Sequence, residues 1–470
     1  MEATFSVRVW GIQENVRGAE RKTRKTYTVR WKVGARPWKA TYETRALADS
    51  FRAALLTAAR NGEPFSISTG RPVSMVRAAA PTSWYSFACD YVDMKWPGSA
   101  ANTRRSTAEA LAVITLALLR DGRVPESGQA VRTALRRWAF NTVRRTAPDC
   151  PREVQERLRW VAANTRPLSE LADTQVLRGV FDAMATNLDG SRSAGTVVRR
   201  RRAILFNALE YAVELDLLSR NPVESLKWRA PKVSHAVDRR SVVNPYQART
   251  LLRALAEERP KGARSEEWVS SGPRLVAFFA LIYYAALRPE EAVNLRRADL
   301  VLPKTGWGEI HLERATPDAG RDWTDNGSHR DERQLKHRAK GEVRVVPCTP
   351  ELTGLLHVHI EAYGIAPDGR LFTGLRGGEL ARSTYHRAWI RARKVAFTPE
   401  VYGSALAKTP YSLRHACVST WLNGGVPPTQ VAEWAGHSVD VLLKVYAKCL
   451  EGQDAEARRR ALAALGAGPA

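Results

Sequence analysis

Cysteine is scarce in this chain of 470 residues. There are five (Cys89, Cys150, Cys348, Cys417 and Cys449), an odd number, never spaced C-x-x-C. That pattern excludes a disulfide scaffold and an ordinary zinc finger, and fits a reducing cytoplasm. Long apolar runs are missing too. The longest, Leu275 to Leu287 and Leu111 to Leu119, fall short of the ~18 residues that a membrane span needs. No charged segment followed by an apolar one opens the chain, so no secretory signal is expected. Neither a P-loop nor a carboxylate cluster is present, which argues against nucleotide-driven or metal-dependent phosphate chemistry. Acidic residues are outnumbered: 48 Asp and Glu against 73 Lys and Arg leave a net charge of +25.

Hydrophobic residues at 44% and charged residues at 26% are ordinary for a folded soluble protein, and the length allows about two to four domains. The basicity is global, at +9 over 1–81, +9 over 82–242 and +7 over 243–470. A single basic tail would read as a tether. Three basic regions point instead to a protein that encloses a polyanion along its length. Arg outnumbers Lys by 58 to 15, which favours bidentate phosphate contacts, although a GC-rich coding genome explains that ratio equally well.

Residues 1–80 read as a small α+β module. Thr26 to Trp31, Trp38 to Tyr42 and Phe5 to Trp10 alternate as strands do, and Leu47 to Asn61 follow with amphipathic helical spacing. Arg and Lys interleave there with Tyr27, Trp31 and Trp38. That suits a sheet laid on nucleic acid, and equally a solvated face over packed aromatics. Residues 82–228 carry helical periodicity at Ser83 to Trp96, Ala101 to Leu119, Ser127 to Asn141, Pro151 to Asn164 and Gly195 to Leu218. The last of these holds Arg199, Arg200, Arg201 and Arg202 ahead of an apolar stripe. Four consecutive arginines cannot share one helix face, but the cluster is a candidate phosphate contact. The polar, aperiodic stretch 229–242 reads as a linker.

Beyond it, 243–470 mixes helices with a short sheet. Gly308 to Glu313 and Glu342 to Cys348 read as strands, and Arg333 to Arg338 pairs with the second through a turn at Ala339-Lys340-Gly341. Thr316 to Asp331 reads as a mobile polar loop. The pair His357 and His359 reads as helix surface, and no histidines are grouped as metal ligands. Three segments stand in order: Ala286-Leu287-Arg288-Pro289-Glu290-Glu291, Tyr411-Ser412-Leu413-Arg414-His415, and Ala435-Gly436-His437 with Tyr446 nine residues later. Each is weak alone. Their order and spacing together resemble the tyrosine recombinase (phage integrase) family, in particular integrases of actinobacterial mobile elements.

The local chemistry agrees. Thr409 supplies a helix N-cap and Pro410 the N1 position, so Tyr411 and Arg414 fall three apart on the first turn, where a cation beside free N–H groups makes an anion site. Arg288 precedes Pro289 and so sits at a helix joint, where Glu291 can cap the helix or orient the guanidinium. Gly436 ends one helix, and Ser438 caps the helix that bears Tyr446.

The resemblance implies a mixed α+β multidomain fold: an N-terminal arm-type DNA-binding module (1–80), a helical, SAM-like core-binding domain (82–228), the linker, and a mixed α/β catalytic domain with a small sheet (243–470). It implies a site-specific recombinase that integrates or excises a mobile element or phage. Tyr446 would attack a DNA phosphodiester and form a 3′-phosphotyrosine, Arg288 and Arg414 would hold the non-bridging oxygens, and His437 would donate a hydrogen bond. Lys336 or Lys340 would protonate the leaving 5′-oxygen, Lys336 being preferred because a strand holds a side chain better than a turn does. Glu291 would support Arg288, while Lys340 and Arg199 to Arg202 would contact DNA. One departure stands out. The family most often has His three residues before its second arginine, and this chain has Tyr411. A phenol donates a hydrogen bond but is no base near pH 7, so base work is dispensable or falls to His437.

No cofactor and no metal are implied. The expected partners are double-stranded attachment sites, further copies of the chain in a homotetramer on DNA, an excision factor and a host DNA-bending protein, in the cytoplasm on the nucleoid and not at a membrane. The competing classes are a DNA-binding regulator that kept the fold without the chemistry, and a nucleic-acid-packaging protein favoured by charge alone.

The general acid can be tested directly. Lys336→Ala is expected to abolish cleavage of ordinary DNA and to recover on a 5′-bridging phosphorothioate, whose sulfur leaves without protonation. Rescue of Lys340→Ala instead, with Lys336→Ala active on ordinary DNA, would transfer the role to the turn.

Overall fold

Period-two alternation sets the first element: in strand Arg24–Val33, Val29, Trp31 and Val33 are buried while Arg30 and Lys32 are exposed. The computed structural model describes residues 3–17, 24–75, 82–120, 127–233, 236–258, 270–335, 341–446 and 454–465. Strands Val7–Val9, Gln13–Arg17 and Arg36–Tyr42 pair antiparallel with Arg24–Val33. Helix Arg45–Arg60, N-capped by the Thr44 side chain, covers the apolar face. Tyr27, Trp31 and Trp38 all pack on that covered side, so the aromatics are core and not a nucleic-acid stacking surface. The basic residues occupy the other face, with Arg8 opposite Lys32 and Arg30 opposite Lys39 in register.

A second apolar cluster lies among helices Trp84–Lys95, Ala101–Ala117, Gly128–Ala134, Arg152–Asn164, Thr174–Ala185 and Gly195–Glu214. Helix Thr174–Ala185 has no counterpart among the expected helices. Asp173 caps it on the N–H groups of Gln175 and Val176, and Leu177, Val180, Phe181 and Met184 are buried at helical spacing. Gly179 and the β-branched Val176 and Val180 dilute its propensity, so packing and not local preference makes it a helix.

A third cluster joins helices Pro245–Ala256, Ser271–Tyr284, Pro350–Tyr363 and Arg382–Ala396 to a three-stranded antiparallel sheet. The long apolar run is the central helix Ser271–Tyr284, buried at Leu275 and from Ala277 to Tyr283. No helix among the described residues is long and apolar enough to cross a membrane. In the sheet, Gly308–Leu312 lies between Leu300–Val301 and Arg344–Cys348. Arg333–Gln334 does not pair with Arg344–Cys348 as expected. That strand runs in full register with Gly308–Leu312, whereas Arg333–Gln334 pairs with Arg314–Ala315, tied by an Arg314–Glu332 ion pair at 2.6 Å. A smaller cluster holds helices Tyr411–Asn423, Pro428–Ala435 and Val439–Tyr446 together around Val418, Leu442 and Tyr446. The end of the linker stretch lies against it: Val237 packs there, and its N–H donates to Val445 O at 2.9 Å.

The stretch 316–331 corrects a second expectation. It is a clasp and not a mobile loop, because Trp323 and Ala319 complete the apolar cluster of the helical region. Arg104, whose side chain is 4% exposed, donates to Trp96 O, to Trp323 O and, through both terminal nitrogens, to Asp325. Asn141 Nδ2 reaches Asp322 O at 2.6 Å, and the Ala101 N–H reaches Asp331 Oδ2 at 3.1 Å. Arg330, buried beneath, bonds Thr316 O and Leu380 O and so braces the clasp against its own region. A polar composition concealed one apolar anchor.

Replacing that anchor, Trp323→Ala, should cost ~3–5 kcal/mol of docking. Amide exchange over 316–331 is expected to rise while the buried face of helix Ala101–Ala117 stays protected. Unchanged exchange in 316–331 would show that the polar contacts suffice.

Candidate phosphodiester-cleavage site

Pro289 fixes the start of helix Pro289–Asn294 and leaves Arg288 extended at its N-cap, with φ −72° and ψ 148°. Glu291, on the first turn, accepts the Arg288 N–H at 2.8 Å and Arg288 Nη1 at 2.7 Å. It therefore caps the helix and orients the guanidinium at once. Arg344, from the central sheet, grips the same carboxylate with both terminal nitrogens, at 3.0 and 2.6 Å. Burial alone would raise the Glu291 carboxyl, but Arg344 and then Arg288 outweigh it and hold it well below the usual carboxylate range.

Arg414 is wholly buried on helix Tyr411–Asn423, whose N-cap is Pro410 and not the expected Thr409, with no side-chain cap. It donates to the carbonyls of Ala286 and Ala435 and, at 2.9 Å, to His437 Nε2. Ala286 holds its carbonyl there with φ +51°, a left-handed conformation costly for a residue with a side chain. Gly436, at φ +63°, ends helix Pro428–Ala435 and offers its own carbonyl to Arg288 Nη2 at 2.7 Å. A β-carbon at Gly436 would run into the Arg344 guanidinium and press on that of Arg288. Both the left-handed turn and the close approach of two arginines require glycine here.

His437 is neutral. Burial, then Arg414, Arg288 and Arg344, push it down to about 3. Arginine only donates, so Nε2 is the acceptor and the ring proton sits on Nδ1. That Nδ1 is buried without a partner, as are Nε of Arg344 and Nε of Arg414. Three buried donors without partners, on Arg344, Arg414 and His437, are a hydrogen-bonding capacity that an anion could satisfy.

Tyr446 is fully buried at the end of helix Val439–Tyr446, which Ser438 caps through the Val441 N–H. Its ring stacks on His437 with centroids 6.2 Å apart. Its hydroxyl lies 2.9 Å from Nδ1 of His415. Tyr411 stands one turn before His415, the two ring centroids 5.0 Å apart, and beneath the Arg414 guanidinium at 5.8 Å. The structure thus brings Arg288, Glu291, Tyr411, Arg414, His437 and Tyr446 into one cluster. It adds two residues that the sequence reading left without a role. Arg344 was legible as an arginine at even spacing in a buried strand. His415 shares a helix face with Tyr411 by its (i, i+4) spacing, but nothing in the sequence set it against Tyr446.

Other expectations fare differently. Lys336 and Lys340 lie outside the described residues. Of the four consecutive arginines, Arg201 is withdrawn from any surface: it is 4% exposed and bonds Met184 O and Ser193 Oγ. Arg202 lies over the Phe206 and Trp228 rings, and Arg199 bonds Pro231 O. Arg200 alone of the four lines a cleft of about 710 Å³, which Arg288 also lines. His359 is buried on Leu371 O and His357 bonds Pro303 O, so neither is the free helix surface expected of them. No group of metal-ligating side chains occurs among the described residues.

The sequence profile of the phage integrase family matches residues 243–451. A tyrosine recombinase XerC of Nitrobacter winogradskyi is 26% identical over 221 residues, 46% of this chain and 57% of that protein. Thus the chain spans little more than half the length of that relative. A XerC of Methylobacterium sp. (strain 4-46) is 25% identical over 317 residues, 67% of this chain and 84% of that protein. Among solved structures, the Tn1549 transposon integrase in complex with transposon right end DNA aligns at 15% identity with TM-score 0.47, covering 69% of this chain and 96% of that one. Lambda integrase bound to DNA aligns at 15% identity with TM-score 0.42, covering 77% and 94%.

Glu291→Gln keeps the shape of the side chain and removes its charge, leaving Arg288 and Arg344 facing each other without a counterion. Breaking a buried ion pair in this way costs ~3–5 kcal/mol. Chemical denaturation should show a loss of that size, whereas a loss under ~1 kcal/mol would make the pairing incidental.

Proposed function

We propose that the chain, whose residues 243–451 match the profile of the phage integrase family, is a site-specific DNA recombinase that cuts and rejoins DNA through a phosphotyrosine. One observation carries the reading: Arg288 and Arg344 share the Glu291 carboxylate beside Gly436, Arg414 bonds His437 on the adjoining turn, and the Tyr446 ring stacks on that imidazole. A phenol with an ordinary pKa near ~10 is a poor nucleophile. Its attack on a phosphodiester becomes feasible where positive charge meets the developing phosphorane. Arg288 and Arg414 would bind the non-bridging oxygens with the N–H groups not already spent on Glu291 and the backbone, and His437 would donate from Nδ1. Glu291 and Arg344 would hold Arg288 in place. Tyr411 would add a phenolic hydrogen bond. The phosphotyrosine conserves the bond energy, so rejoining needs no nucleotide.

In the same proposal, residues 1–80 bind arm-type sites through the basic sheet face, 82–228 bind the core site, 229–242 join the two larger domains, and 243–470 carry the chemistry. The chain would act as a homotetramer on two duplexes in the cytoplasm, moving a mobile element or phage, with an excision factor and a DNA-bending protein as accessory partners. Arg200, on the cleft beside Arg288, is the member of its cluster best suited to contact DNA.

The test is a nicked suicide duplex carrying a site selected by the protein from a random-sequence pool. Wild type should form a covalent protein–DNA band, and Tyr446→Phe should bind equally and form none. An adduct with Tyr446→Phe would remove that residue from the role. Equal binding with no adduct from either protein would favour the non-catalytic regulator.

A further inference from the structure

We propose that His415 is the group that takes the Tyr446 proton when the phenol attacks, an inference that rests on the recombinase reading of this site. Two imidazoles flank Tyr446, and hydrogen bonding tells them apart. His437 has spent its lone pair: Nε2 accepts from Arg414, and Nδ1 carries the ring proton. It can only donate, which suits a phosphate oxygen and excludes it as a base. His415 is oriented the other way, with Nδ1 2.9 Å from the Tyr446 hydroxyl. A phenol is the stronger acid of the two groups, so the favourable arrangement is O–H···N, with the imidazole lone pair already on the proton to be removed. Tyr411, one turn earlier on the same helix face, is a phenol and cannot do this work. The imidazole stands four residues along, where Tyr446 meets the helix.

The groups around His415 are Tyr411 and Arg414 on its own helix, His437 on the turn after Gly436, and Tyr446 on the last helix of the cluster. Burial and then Arg414 push His415 down to about 4, so the ring is neutral and its lone pair is available. A phosphodiester seated on Arg414 brings the opposite charge and weakens that repulsion, making the imidazole more basic once substrate is bound. In cleavage, the Tyr446 oxygen bonds to phosphorus while its proton passes to His415 Nδ1. The bond from phosphorus to the 5′-oxygen breaks, and that oxygen would take its proton from the general acid that the resemblance implies, Lys336 or Lys340. In rejoining, the imidazolium returns its proton to the departing phenolate.

The experiment compares wild type, Tyr446→Phe, His415→Ala and His415→Asn in single-turnover adduct formation on the selected nicked duplex, from mildly acidic to alkaline pH. Asn can accept the hydrogen bond but cannot take the proton, and DNA binding by each variant reports folding. His415→Asn is expected to bind DNA as wild type does and to form adduct ~10²-fold more slowly at neutral pH. That deficit should shrink as pH rises and the phenol ionises without help. Near-wild-type rates for His415→Asn would overturn the proposal, since holding the hydroxyl would then be enough. A deficit constant across pH would overturn it as well, because a misplaced nucleophile is slow at every pH. An adduct absent from wild type and Tyr446→Phe alike would instead take down the recombinase reading, and this inference with it.

Discussion

Two guanidiniums can be packed together out of water only because the Glu291 carboxylate lies between them, and the rest of the site follows from that pairing. The carboxylate needs both arginines to offset its own desolvation, and each arginine needs the carboxylate to offset its repulsion of the other. Arg288 comes from a helix joint and Arg344 from the central sheet, so the ion cluster welds the helix start to the sheet. It also fixes where Gly436 must run. The Gly436 carbonyl accepts from Arg288 while its α-carbon lies against Arg344, which leaves no room for a side chain. His437 follows directly after that turn, and the helix bearing Tyr446 begins two residues later.

Positive charge concentrated in this way has a consequence for the imidazoles. Protonating either would add a further buried cation, and both are held neutral, His437 at about 3 and His415 at about 4. The two neutral imidazoles meet different partners, His437 an arginine and His415 a phenol. The ring whose acceptor nitrogen is taken by Arg414 is left with a donor. The ring free of arginine contact keeps its lone pair for the phenol. Arg414 thus does more than supply charge. It decides the tautomer of one histidine and, by burial and repulsion, keeps its sequence neighbour unprotonated.

Much of this was legible in the sequence where one residue sets its own geometry. Pro289 places Arg288 at a joint whatever surrounds it, and Gly436 and Ser438 punctuate two helices by rules that act within four residues. The strands of 1–80 and the buried helix Ser271–Tyr284 announce themselves by period and run length. The partner of Arg333–Gln334 could not be read, because pairing depends on which edge remains after Gly308–Leu312 takes both its neighbours. The burial of Arg201 escaped for a similar reason. Its sequence neighbourhood is four equivalent arginines, and only the Met184 carbonyl and Ser193 hydroxyl single it out. His415 was hidden by its neighbour: a motif read for its arginine gives the next residue no role until the fold brings Tyr446 against it.

The clasp over 316–331 shows the same limit on the scale of whole regions. Its composition is polar and rich in turn formers, and its ion pairs to the helical region have an exposed partner, Asp325 at 78% and Arg137 at 55%, so they are weakly stabilising. Their role is to fix register, while the buried Trp323 indole provides most of the attraction. The clasp joins the helical region to the region bearing the site, beside the cleft that Arg288 and Arg200 line. Trp323 and the buried Arg104 thus hold the clasp to the helical region, while Arg330 beneath it holds the clasp to its own region.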